Sequence, residues 1–448
     1  MTFQEFKNTV IARAKELGID DYELYYQAAE SVSVSVFRHE VNQFTASNEG
    51  GVCLRCLIGG KMGYASTEKL TAEEAGALVR RAAANAAVLE TKEEAFLGQG
   101  GKTYAAVPCR SGELPQTKEL VGRALAVQQQ LYAADPAVVD GSTTQCIAEA
   151  SRLAIYNSHG LDLSYENTLS GLVVGAVVER GGEKANDHQI KLGAPDAIDT
   201  AALTQKAAKT ALTKLGGGSV ESGVYSVVFA PDAMSDLLAA FSSVFSAENA
   251  QKGLSKLANR EGQTVAASCV TVVDDPFHPE SPMPMPFDAE GSPTAKKAVV
   301  EAGVLKTLLH DLKTAHQAGV QTTGNASKAG YDSPVAVRPF TMYLAPGSAT
   351  KEELLRQCGN GVYIDSLAGL HAGASAVTGD FSLQSAGFLI ENGVCTRYVK
   401  GFTVAGNFFD LLRAVEAVSD TVVLPAATGV TAFGSPCVLV RGLSLAGK

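Results

Sequence analysis

The sequence predicts an α+β fold in two domains, with N-terminal helices on an antiparallel sheet followed by a β-rich, barrel-like C-terminal half. Three observations carry this expectation. Helical and strand-like periodicities alternate through the first half; Gly216-Gly-Gly218 is the strongest punctuation in the chain; and the second half holds many short strands, few helices and recurrent hairpin turns. The boundary therefore falls at the triglycine, giving one domain over 1–215 and a second over 219–448.

Thr2 and Glu5 have capping-box spacing, and Phe3, Phe6, Val10, Ala14 and Leu17 recur at helical intervals, so residues 2–17 should form an amphipathic helix. Its apolar stripe requires a sheet to cover. Ser31-Val-Ser-Val-Ser-Val36 alternates strictly, as a half-buried strand must, and 51–58 and 63–67 follow around a Gly59-Gly60 turn, so an antiparallel meander is expected. Thr71 and Glu74 repeat the capping signal before an Ala-rich helix that runs to about residue 90. Another helix is expected over 117–134, strands over 143–157 and 162–180, and a helix over 199–214.

After the triglycine a strand opens at Val224-Tyr-Ser-Val-Val-Phe229. Pro231 then launches a helix, because proline's fixed φ suits a first turn whose N–H has no helical partner. A Pro-rich loop covers 276–293, and hairpin turns stand at Glu301-Ala-Gly303 and Glu391-Asn-Gly393.

Of the 448 residues, 46% are hydrophobic and 19% charged, an ordinary globular balance with material for more than one core. The formal charge of −10 argues against a surface built to neutralise phosphates, and so against direct nucleic-acid binding. No N-terminal stretch joins a basic start to an apolar run, and no run nears the roughly 20 apolar residues that span a bilayer. A cytoplasmic protein without membrane contact is expected. The eight cysteines, at 53, 56, 109, 146, 269, 358, 395 and 437, are too sparse for a disulfide scaffold and read as reduced thiols. Cys53 and Cys56, three apart on a strand, would point to opposite faces and read as core or edge thiols rather than a metal or redox pair.

The sequence offers little hydrolytic chemistry. A helical zinc site needs two His one turn apart with a Glu between them, and the sole His-Glu pair, His39-Glu40, lies in a strand-like segment with no second His. Gly373-Ala-Ser375-Ala-Val377 lacks the second Gly of a nucleophile elbow, and Ser66-Thr-Glu-Lys69 lacks the companion motifs of an S-x-x-K enzyme. None of the Gly-rich runs forms a phosphate-binding loop. His310 and His316, six apart around Asp311, fall on different sides of a helix and read as structural or surface residues. The richest polar cluster is Asp274, Asp275 and His278, with Asp288 and Glu290 across the Pro-rich loop. It could hold a divalent metal or a general acid and base, and its plainer reading is a solvated loop with Asx turns.

Thr323-Gly-Asn-Ala326, Leu344-Ala-Pro-Gly347, Thr378-Gly-Asp-Phe-Ser382, Ile390-Glu-Asn-Gly393 and Val404-Ala-Gly-Asn407, in that order, resemble the TldD/PmbA family. Val272-Val-Asp-Asp275, Asp288-Ala-Glu-Gly-Ser-Pro-Thr294, Gly303-Val-Leu305, Gly434-Ser-Pro436, Leu445-Ala-Gly447 and the segment from Gly51 to Thr67 extend the resemblance over nearly the whole chain. The family implies a two-domain α+β fold, a cytosolic dimer and a groove for unfolded peptide. One branch, TldD, carries a zinc His-Glu helix and hydrolyses peptides. The PmbA branch, also called TldE, pairs with it and lacks the metal motif. PmbA-type proteins are also described as modulators of DNA gyrase, and the resemblance extends to peptide-antibiotic maturation and antitoxin degradation.

By this resemblance the metal helix falls near Leu237–Phe245, with Ala239, Ala240 and Val244 at the ligand and base positions. Their side chains offer a metal no lone pair and a proton no acceptor. The metal branch's Cys near its C-terminus has no counterpart in Pro425–Thr431, and Cys437 follows too late. The resemblance thus implies a PmbA/TldE-like chain with no metal, cofactor or catalytic residue of its own. Its partners would be a metal-bearing homologue or a second copy of itself, together with unfolded peptide. The alternatives are an independent hydrolase using Asp274, Asp275 and His278 with Asp288 or Glu290, and a homodimeric regulatory protein.

Overall fold

The computed structural model describes residues 1–91, 94–107, 112–425 and 431–448. The first helix, α1 (Phe3–Glu16), begins on a reciprocal capping box: Glu5 N–H donates to Thr2 Oγ1, and Thr2 N–H donates to the Glu5 carboxylate. Phe6, Val10 and Ala14 are buried, whereas Leu17, expected on the same stripe, caps the helix and is exposed. In α2 (Ala72–Val88) only half the box forms. Thr71 accepts from Glu74 N–H, but the Glu74 carboxylate turns to Arg81.

Six strands follow a single antiparallel order. These are β1 (Asp21–Phe37), β2 (Glu40–Ile58), β3 (Lys61–Thr67), β4 (Thr143–Asn157), β5 (Asp162–Arg180) and β6 (Glu183–Leu192), arranged β3-β2-β1-β4-β5-β6. Two meanders thus join where β4 pairs with β1. The even-numbered positions of β1 carry one continuous face. Tyr22 and Leu24 pack with α1 and α2, and Val34 and Val36 pack with α3 (Thr117–Ala134) and α4 (Thr200–Thr213). The odd face holds Tyr25, which with Cys53 and Ile155 packs on Met285, Phe287 and Phe340 of the C-terminal half.

Two sheet segments escape sequence periodicity for opposite reasons. β1 starts ten residues before its alternating stretch because Tyr22–Tyr25 are buried on both faces, which removes alternation. β6 is a largely polar edge strand whose alternating accessibility has no apolar pattern behind it.

In the C-terminal half, β7 (Gly223–Phe229) and the strands Gly361–Ala368, Asp380–Glu391, Val394–Asn407 and Val438–Ala446 close into a five-stranded barrel. Closure comes from Thr403, Val404 and Ala405 pairing with Ala446, Leu445 and Ser444. The hairpin between the third and fourth of these strands turns on Asn392 and Gly393, both at positive φ, as Asn-Gly predicts. Helix α5 (Pro231–Phe241) follows β7 directly and buries Met234, Leu237, Leu238 and Phe241 in the largest core of the molecule. Among the described residues, no helix is long and apolar enough to cross a membrane.

Candidate functional site

Helix α5 is apolar at i, i+3, i+4 and i+7 from Met234, which drives it inward. Phe241 ends it stacked on Phe408 at 4.5 Å between ring centroids. Ala239 and Ala240 occupy its last turn and are half-buried, and Val244 lies in the following 3-10 turn, Ser242–Phe245, fully buried. The nearby hydroxyls serve the backbone: Ser242 donates to Ala239 O and Ser255 donates to Val244 O. A metal at this helix would meet only methyl groups from the three positions, so the donor set does not fit one. Of the stretch 425–431, residues 426–430 lie outside the described residues, as does Cys109.

The acidic residues singled out in the sequence are not on a solvated loop. Asp274 is fully buried, its Oδ1 accepting from Phe340 N–H at 2.8 Å and its Oδ2 from Asn325 Nδ2 at 2.8 Å and Lys297 Nζ at 3.1 Å. Asp275 pairs with Lys296 at 3.0 Å and accepts from Phe277 N–H, so the expected Asx turn exists inside a buried setting. His278 accepts Glu280 N–H on Nδ1 and packs edge-on against Tyr343; burial lowers its pKa. Asp288 Oδ1 accepts from Glu290 and Ser292 N–H, and Oδ2 from Ala326 N–H. Burial still pushes its pKa up to about 6. These groups hold the Pro-rich loop to its surroundings; their oxygens face donors rather than an open cleft.

Glu290 belongs to a junction that the sequence analysis did not assemble. Arg55 of β2 donates from Nε to Glu23 of β1 at 2.8 Å and reaches Glu290 at 3.5 Å, and all three are at least nine-tenths buried. Glu23 also accepts from Asn157, and Glu290 from Leu312 N–H. Burial pushes the Glu290 pKa up to about 8 in spite of the guanidinium. Beside them the Lys328 ammonium sits 4.7 Å above the Tyr25 ring, its pKa lowered by burial. The sequence signal was a lone Arg inside the apolar run Gly51–Ile58, which demands a buried counter-charge.

The remaining candidates disperse. His39 sits exposed in the β1–β2 turn at positive φ, against Tyr132. Cys53 and Cys56 enter different cores on opposite faces of β2 and are free thiols. His310 is buried and His316 is exposed against Phe96. Among the described residues no group of three His, Cys, Asp or Glu side chains could hold a metal ion.

Three domains of one family match the chain: PmbA/TldA metallopeptidase domain 1 at residues 22–86, the central domain at 111–215 and the C-terminal domain at 222–447. A metalloprotease of Archaeoglobus fulgidus is 32% identical over 319 residues, covering 67% of this chain and 72% of its own. A metalloprotease PmbA homologue of Haemophilus influenzae is 25% identical, covering 87% and 85%. The crystal structure of a Thermotoga maritima protein described as a candidate modulator of a DNA gyrase superposes with a TM-score of 0.89 at 32% identity, covering 99% of this chain and 100% of its own. TldE of Thermococcus kodakarensis shares the fold, with a TM-score of 0.87 at 21% identity, covering 98% and 99%. With domain matches along its length and a relative at this identity, the chain belongs to the PmbA/TldD metallopeptidase family.

Proposed function

We propose that this chain is the non-metal-bearing, PmbA/TldE-like subunit of a cytoplasmic TldD/PmbA-type peptidase system. It binds unfolded peptide and a metal-bearing homologue, and takes part in proteolysis or peptide maturation without cleaving bonds itself. The observation that carries this reading is the hydrocarbon at Ala239 and Ala240 in the last turn of α5 and at Val244 in the 3-10 turn that follows it. Two features favour peptide binding. β3 pairs only with Val52–Ile58 of β2, so the outer edge of β2 over residues 40–51 has no partner strand among the described residues. Beside that edge lies a cleft of about 500 Å³ lined by Tyr26, Asn48, Glu49, Gly51, Glu68 and Tyr331. An extended peptide can add to such an edge through main-chain hydrogen bonds.

The test is metal content and peptide cleavage by the purified chain, alone and with a co-expressed metal-bearing homologue. Alone it should hold no stoichiometric zinc and cleave nothing; the homologue should co-purify with it and bring chelator-sensitive cleavage. Stoichiometric zinc on the isolated chain, or cleavage by it that Asp275→Ala abolishes, would instead establish the independent hydrolase.

A further inference from the structure

One cleft, of about 280 Å³, stands apart from the acidic character of the chain. Its lining carries three cations, Lys256, Arg260 and Arg413, against one carboxylate, Asp410, whereas the whole protein has a formal charge of −10. The cations are exposed at the rim. Buried Leu257, Val265 and Phe409 form an apolar floor, and Asn407 supplies a polar side.

The rim is held in place. Lys256 donates to Thr378 O at 2.6 Å with its ammonium 5.6 Å from the Phe409 ring centroid. Arg260 donates one N–H to Gln263 at 3.0 Å, and Arg413 pairs with Asp410 at 3.2 Å. A guanidinium has five N–H donors in a fixed fork, so both arginines keep donors for a bidentate acceptor. Asn407 is fixed by donating to Thr378 O and to Asp380. The cleft adjoins the metal-less helix: Phe408, next to Phe409, stacks on Phe241, and Ser255, next to Lys256, binds Val244 O.

We infer that this cleft binds a carboxylate attached to an apolar group, and that the source is the C-terminus of a peptide ending in a large apolar residue. The arginines take the carboxylate, and Leu257, Val265 and Phe409 take the last side chain. Its volume is at the lower limit of small-ligand clefts, roughly 300 Å³, which suits a peptide end rather than a long segment. The choice of a peptide as the source rests on the peptide-binding reading above; the carboxylate and apolar specificity rests on the cleft alone.

The experiment is calorimetric titration of the full isolated chain with N-acetyl-Ala-Leu-Leu, with the same peptide as its C-terminal amide, and with inorganic phosphate. The free acid should bind, more weakly as salt rises, and the amide at least about tenfold more weakly, the loss expected for one charge-assisted contact. Arg260→Gln and Arg413→Gln, both at exposed positions, should each weaken the acid several-fold and together at least about tenfold, with unchanged circular dichroism. Equal binding of acid and amide, no binding of either, or indifference to both substitutions overturns the inference. Phosphate binding as tightly as the acid overturns the apolar half of it and leaves a bare oxyanion site. The titration needs neither metal nor partner, so its failure is distinguishable from a failure to co-purify with a metal-bearing homologue.

Discussion

Replacing Arg55 with Met removes the one guanidinium that lies between two carboxylates of the β1–β2 junction with the C-terminal half. Among the described residues, Glu23 would keep the Asn157 amide and Glu290 the Leu312 N–H as hydrogen-bond donors, with the Lys328 ammonium nearby and both carboxylates buried. Removing one partner of a buried ionic group costs about 3–5 kcal/mol, because the orphaned charge must stay desolvated. Glu290 has a way out of that cost, since it can take up a proton. Its folded pKa, about 8, lies above the ordinary value, so its contribution to stability is full below about 4.5 and is lost as pH rises through about 8. Without Arg55, which pulls that pKa down, the variant holds the proton to still higher pH. Wild type releases the proton over the unit above pH 8 and the variant does not. The stability deficit should therefore be larger at pH 9 than at pH 6, by on the order of 1 kcal/mol. Urea unfolding followed by circular dichroism at both pH values measures this, since the chain has no tryptophan to report fluorescence. A deficit below about 1 kcal/mol, or one equal at the two pH values, refutes the argument.

Asp274→Ala should destabilise the chain by about 3–5 kcal/mol, because Lys297, Asn325 and the Phe340 N–H lose one shared buried acceptor; denaturant midpoints measure it. Gly387→Ala should cost about 3 kcal/mol or prevent barrel closure, since a Cβ there would stand 1.8 Å from the Tyr363 carbonyl oxygen; a normal melting temperature would contradict it. Thr2→Ala should cost only about 1 kcal/mol, the value of one helix cap, and leave the rest of the sheet as protected from hydrogen exchange as before.

Several elements that local pattern can reveal were read from it, although the helix Lys351–Cys358, which starts on a capping box of Thr350 and Glu353, was not. α1, α3, β4, β5 and the strand into α5 follow from capping residues, apolar spacing and Pro231, all of which act within a turn or a hairpin. Among the other missed pieces, the first ten residues of β1 and all of β6 have burial set by distant neighbours. The carboxylates show the same limit. Asp274 reads as a loop residue because its donors at 297, 325 and 340 are remote in sequence, and Arg55 meets Glu290 across 234 intervening positions.

What the sequence by itself determined is chemical: the side chains of Ala239, Ala240 and Val244 have no atom that can bind a metal, whatever surrounds them. Only the tertiary structure decided which charges are removed from water and which stand around a cleft. Solvation depends on the packing of chain segments hundreds of residues apart, and that packing buried Asp288 and Glu290 while leaving Arg260 and Arg413 exposed around a cleft.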